Sequence, residues 1–367
     1  MNFTVATKPL INALDLGVVN ANISKYYSKS GLAEITADKR NLTINLEASY
    51  LLSEIVLKGS GDSDEPAKMF VDAALFKQLV STFDSDVTEF EFIENGIVLH
   101  SGKSKFQLPQ VVDGSQFSLN KPTKDVPSTA STVTLKKDDW KFVKDHQMYA
   151  IALSFVNPVY TRVWVGADGE VLVGDVVNGL FTYSKKSNLG ETCLLSDTII
   201  NLFDSVPEGA KLTKLEHSYI LNVETDSFAF ASEFTPQHED TDDLGSYNSD
   251  IFLGMMKEDD KAVKINTTRL AKSLSQAAIL STSVEDTICL KLTSDTLSLK
   301  DNNVDCDIPV EYHGEPYELR FQSTILKSAI GNMDQDEIKI SCLVQNDVPS
   351  GIVLSTNSMF TLVGAVD

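Results

Sequence analysis

The sequence predicts an α+β chain made of three tandem copies of one unit, each with two helices packed on antiparallel sheets. Helix-like apolar segments begin around Leu10, Trp140 and Leu270, two successive offsets of 130 residues. A second helix-like segment recurs around Leu75, Ile199 and Ile325, at offsets of 124 and 126. Alternating apolar runs of strand length follow the second helix in every copy. A fixed period this long means triplication of a whole domain, not a short solenoid.

In the first copy the helices run from Thr7 to Leu14 and from Asp72 to Leu79, with an alternating run, Leu42 to Leu46, between them. Strands are expected at Glu89–Ile93, Gly96–His100 and Lys105–Leu108. The second copy opens on a strand, Thr132–Leu135, followed by a helix at Lys137–Lys144, alternation from Val163 to Val173 and a helix at Ser196–Phe203. Asp168-Gly169 interrupts that alternation as a hairpin turn, not a phosphate cradle. Strands at Lys211–Glu216, Tyr219–Val223 and Phe228–Phe234 close the copy. The third repeats the order: Thr267–Leu274, Ile288–Leu299, Ser323–Ile330, then Ile338–Leu343, Gly351–Ser355 and Phe360–Val363.

A chain of 367 residues with 42% hydrophobic side chains can fill three cores of ordinary domain size. The expected domains are residues 1–125, 126–250 and 251–367. Lys121 to Thr129, polar and carrying Pro122 and Pro127, reads as the first linker. The second break runs from Thr235 to Asp260, with an apolar island, Ile251 to Met256, inside it. Its acidic runs read as solvated loop, because the alternate ligand positions of a calcium loop are missing. No apolar run reaches membrane-spanning length, and Met1–Ala6 lacks the pattern of a signal peptide, so a soluble intracellular protein is expected. Cys193, Cys289, Cys306 and Cys342 stand far apart and read as reduced structural thiols.

Catalytic signatures are missing. The five histidines have no partner at metal-ligand or nucleophile spacing, and no phosphate-binding glycine motif occurs. No cofactor, no metal and no enzymatic activity are expected, so function should come from shape and surface. A formal charge of −21 argues against unspecific nucleic-acid binding by the chain as a whole. Yet Lys137, Lys141 and Lys144 share one helix face, and Arg269, Lys272 and Gln276 lie opposite Leu270, Leu274, Ala277 and Ala278. Lys8, Lys77 and Lys327 extend the set to other helices. Such faces on helices of all three copies suggest one shared anion-binding surface, with the acidic residues elsewhere.

This triplication, the basic helix faces and three local segments resemble the bacterial β sliding clamp family, the replicase processivity ring. The segments are Met1–Val5, Ser101–Pro109 and Gln276–Ser281, and the resemblance spans the whole chain. It implies that each chain forms half of a closed ring, with helices lining a central hole, and that two chains close it head to tail. It implies that Phe106 and Leu108 meet Ile279 and Leu280 of the other chain, and that Lys103 and Lys105 face Asp301, Asp305 and Asp307. It further implies sequence-independent duplex DNA, a DNA polymerase and a clamp loader as partners, with Lys8, Lys77, Lys137, Lys141, Lys144, Arg269, Lys272 and Lys327 facing the DNA.

Partners of the family insert an apolar peptide into a cleft, matched here by Tyr160, Leu180, Leu253, Met255, Met256, Val363, Ala365 and Val366. The chain departs from the family there. Gly174–Leu180 replaces a usual Thr-Asp-Gly-His-Arg-Leu pattern, and the Met-Pro-Met-Arg-Leu-like ending is missing. The altered cleft suggests a clamp encoded by a virus or mobile element, in a host cytoplasm, beside the plain bacterial cytoplasmic reading. Two other classes stay open: a clamp-fold interaction protein that does not encircle DNA, and an enzyme with a dispersed site.

Overall fold

The structure, a computed structural model, describes all residues except 18–30, 49–50, 113–116, 152–161, 176–179, 186, 188, 191, 237–260, 281–285, 302–303, 334 and 367. Among the described residues each third of the sequence runs strand, helix, four strands, helix, three strands. The first contains β1 (Asn2–Ala6), α1 (Thr7–Gly17), β2 (Leu32–Ala37), β3 (Asn41–Ala48), β4 (Leu51–Gly61), β5 (Ala67–Asp72), α2 (Ala73–Val80), β6 (Val87–Ile93), β7 (Gly96–Ser101) and β8 (Ser104–Pro109). The second contains β9 (Thr132–Thr134), α3 (Lys137–Ile151), β10 (Arg162–Val165), β11 (Glu170–Asp175), β12 (Leu180–Lys185), β13 (Cys193–Ser196), α4 (Asp197–Ser205), β14 (Lys211–Lys214), β15 (Tyr219–Glu224) and β16 (Phe228–Phe234). The third contains β17 (Val263–Asn266), α5 (Thr267–Leu280), β18 (Thr287–Leu292), β19 (Thr296–Asp301), β20 (Val304–Pro309), β21 (Tyr317–Gln322), α6 (Ser323–Gly331), β22 (Glu337–Gln345), β23 (Val348–Ser355) and β24 (Met359–Gly364). The first helices begin at Thr7, Lys137 and Thr267, the same 130-residue step twice; the second begin at Ala73, Asp197 and Ser323.

The chain divides into two compact units, residues 1–138 with 198–236, and residues 139–197 with 237–367. The middle third is therefore shared between them, and strand pairing explains the cut. In the first unit β16 joins β4 antiparallel, from Leu51↔Phe234 to Leu57↔Phe228. In the second, β12 joins β24, from Leu180↔Val363 to Ser184↔Met359. Both seams carry a buried hydroxyl pair, Ser53 with Ser232 at 3.0 Å and Thr182 with Thr361 at 3.2 Å. The partners in each pair are 179 residues apart, so the seam itself is repeated.

Within the first unit β4 changes partner along its length, leaving β16 at Leu57 and pairing with β1 at Gly59–Gly61. Gly59 permits the exchange, because a Cβ there would lie 2.3 Å from the carbonyl oxygen of Thr4. The core beneath is aromatic. Phe76 meets Phe90 edge-on at 6.0 Å, and Phe203 meets Phe234 at 5.5 Å. In the second unit Trp164, Leu172, Tyr183, Leu194, Leu343, Val353 and Leu362 form one buried cluster on a sheet face.

The start of the segment expected as a plain linker, with the two residues before it, is strapped across the first unit. The amide of Leu119 donates to Glu34 at 3.4 Å, that of Asn120 to Glu47 at 2.7 Å, and that of Thr123 to Glu233 at 2.7 Å. Lys121 pairs with Glu34 at 3.6 Å and Lys124 with Glu54 at 2.9 Å. Glu34, Glu47 and Glu54 are buried, and burial without partners would be costly, so the strap and the sheet need each other.

Burial pushes the Glu233 carboxyl up, but bonds from the Ser218 hydroxyl and the Thr123 amide outweigh it and hold the group below its ordinary value. A lowered folded value gives stability that is present above the unfolded value and is lost as pH falls through the folded one. The urea midpoint of the unaltered chain should therefore fall further between pH 6 and pH 3 than that of Glu233→Gln. Equal falls would remove Glu233 from the strap.

Candidate functional site

Three groups of residues are candidates for function: the outer helix faces, the edge strands β8 and β20, and the C-terminal strand. On α1, Leu10, Ala13, Leu14 and Gly17 face the core, which leaves Lys8, Asn12 and Asp15 exposed on the other face. Asp72 caps α2 by accepting the Leu75 amide at 2.7 Å, and Lys77 reaches back to Asp15 of α1 at 3.1 Å. On α3, Trp140 and Val143 are buried; Lys137 and Lys141 are exposed, Lys144 is half-buried, and Lys141 is salt-bridged to Asp145. α4 has no cation at all and contains Asp197 and Asp204.

The third copy is different. Leu270, Leu274 and Ala277 of α5 are buried, and Arg269, Lys272 and Gln276 are exposed, the arrangement expected from the sequence; the side chain of Ala278 lies outside the described residues. Lys327 is exposed on α6. Among the described residues no carboxylate pairs with Arg269, Lys272 or Lys327. An open groove of about 470 Å³ lies between α5 and the turn after α6, lined by Thr268, Lys272, Ser275, Gln335 and Asp336 among others. The hydroxyl of Ser275 is already donated to Ala271 O at 2.9 Å. Eight of the 31 cations but only six of the 52 carboxylates lie on the six described helices, so these helices are far less acidic than the chain as a whole.

The edge strands β8 and β20 read differently by residue. Lys103 and Lys105 are exposed; Phe106 is half-buried and stacks on Phe83 at 5.4 Å. Leu108 is only 1% exposed, so it packs within its own unit. Asp305 and Asp307 are exposed on β20, the former 3.4 Å from Lys300 and the latter accepting the Ser298 hydroxyl at 2.5 Å; Asp301 is half-buried. Ile279 is 81% exposed, and the side chain of Leu280 lies outside the described residues.

Of the peptide-cleft residues, Tyr160, Leu253, Met255 and Met256 lie outside the described residues, as does the side chain of Leu180, whose backbone pairs with Val363. Val363 is buried; Ala365 and Val366 are half-buried, and their amides are tied to Ser350 O and Arg320 O at 2.8 Å each. All four cysteines are free, as expected of reduced thiols; Cys193 is buried and the other three are half-buried. Burial and the Glu318 carboxylate at 3.4 Å push the Cys289 thiol up to about 11, so it is a poor nucleophile near neutral pH. Among the described residues no group of histidines, cysteines and carboxylates is placed to hold a metal ion, and no helix is long and apolar enough to cross a membrane.

No family model and no curated protein matches the sequence. Solved structures do match along its whole length. The DNA polymerase III beta subunit of Thermotoga maritima superposes with a TM-score of 0.80 at 13% identity, covering 100% of this chain and 99% of that one. The DNA polymerase sliding clamp of Pseudomonas aeruginosa gives 0.73 at 15%, with coverages of 100% and 99%. The Helicobacter pylori beta clamp bound to a DNA ligase peptide gives 0.72 at 14%, with 100% of both chains covered. The chain has the β sliding clamp fold, far diverged in sequence.

Proposed function

We propose that the chain is a DNA sliding clamp: a non-enzymatic processivity factor that closes as a homodimeric ring around duplex DNA and tethers a DNA polymerase. Its three clamp domains correspond to residues 1–125, 126–250 and 251–367. The observation that carries the reading is the repeated seam. β4 of the first copy joins β16 of the second, and β12 of the second joins β24 of the third. The next seam in that series would join β20 of the third copy to β8 of a first copy, and each of these strands is paired on one side only. Unpaired edges recruit strands. A second chain supplies both, and two such seams close a ring.

The pleat supports this pairing. On β20, Val304, Cys306 and Ile308 lie on the less exposed face and Asp305 and Asp307 on the exposed one; on β8, Phe106 and Leu108 alternate with Lys105 and Gln107. Residues opposite each other across antiparallel strands share a face, so a register that continues the apolar side also sets Lys105 among Asp305 and Asp307. Ile279 adds an exposed apolar side chain near the same end. Once closed, a ring keeps the polymerase at high effective concentration while it slides on phosphate contacts without reading sequence. A loader would open the ring. The Helicobacter clamp carries a ligase peptide, and by likeness Leu180, Val363, Ala365 and Val366 belong to a partner-peptide cleft here, with altered neighbours. Light scattering tests the closed ring: twice the chain mass of 40.2 kDa is expected, and a monomer at micromolar concentration would overturn it.

A further inference from the structure

We infer that the third copy's helix pair is the principal phosphate-binding surface of the ring, and that the three copies do not share the DNA equally. This rests on the clamp reading above. By sequence alone Lys137, Lys141 and Lys144 share one basic face, but counter-charges lie beside it. α3 carries Asp138, Asp139 and Asp145 beside those lysines, Lys141 is bridged to Asp145, and the companion α4 adds Asp197 and Asp204 with no cation. In the first copy Lys77 is held by Asp15 at 3.1 Å, which leaves Lys8. Among the described helices only α5 and α6 present exposed cations and no acidic residue: Arg269, Lys272 and Lys327.

The difference matters because charges on neighbouring helical turns act within one screening length of about 8 Å, so a lysine beside a carboxylate presents little net field to a phosphate. A cation without a carboxylate partner offers its full charge. The groove next to α5 adds uncharged polar groups beside Lys272, Thr268 and Gln335 among them, and it is also lined by one carboxylate, Asp336. The ligand class is the sugar–phosphate backbone of duplex DNA, bound without base contacts.

The test is the salt dependence of binding to a short linear duplex, which threads a closed ring without a loader. Each phosphate contact contributes about 0.9 to the slope of log affinity against log salt. The triple variant Arg269→Ala, Lys272→Ala, Lys327→Ala should lose about 2 to 3 from the slope. The triple variant Lys137→Ala, Lys141→Ala, Lys144→Ala should lose less than 1, with unchanged thermal midpoints in both. Equal losses, or a greater loss from the α3 variant, would overturn the assignment while leaving the clamp reading intact. No salt-dependent binding by the unaltered protein would instead overturn the clamp reading itself.

Discussion

A chain carrying Lys105→Asp and Ile279→Asp is expected to run as a monomer at concentrations where the unaltered chain is a dimer. Lys105 lies exposed on β8, and in the proposed seam it faces the strand bearing Asp305 and Asp307. A carboxylate there puts like charges together across a strand pair, a repulsion of several kcal/mol once solvent is excluded. Ile279, 81% exposed in the single chain, would exchange burial against the partner for a buried charge. Together about 4 kcal/mol of interface energy should go, roughly a thousandfold in the dissociation constant. Both residues are at the surface, so the variant's thermal midpoint should stay near that of the unaltered chain. A dimer of unchanged affinity, measured by sedimentation, would remove the β8–β20 seam.

The second large effect concerns stability and follows from how the middle third is divided. Phe230 is 1% exposed on β16, opposite Ile55 of β4, and α1 packs against the same strand. Phe230→Ala should cost about 3 to 5 kcal/mol. For a cooperative unit of this size each kcal/mol lowers the midpoint by about 2 to 4 °C, so a fall of about 10 °C is expected. Calorimetry should show it in one transition only, that of residues 1–138 with 198–236. A shift of equal size throughout the endotherm would mean that the chain melts as one body.

The period, the six described helices and most strands were legible because they depend on local pattern. A 3.6-residue stripe such as Leu270, Leu274 and Ala277 announces its buried face, and the copies corroborate one another. The strap was not legible. Glu34, Glu47, Glu54 and Glu233 lie on β2, β3, β4 and β16, and only the sheet order brings them under Leu119 to Lys124. The charge balance of the site was partly hidden in the same way. The Lys141–Asp145 pair sits four residues apart and was open to inspection, whereas the Lys77–Asp15 pair needs α1 and α2 to pack together. Leu108 shows the limit of a strand pattern: alternation marks it as inward-facing but cannot say whether its own unit or a partner covers it, and its own unit does.

A closed ring is held on DNA by topology, and the most direct measurement of it is topological. Loaded on nicked circular duplex DNA and moved into high salt, the protein should stay bound, and it should be lost when a single cut makes the circle linear. Equal retention on circular and linear DNA, or loss from both as salt rises, would contradict a ring that encircles DNA.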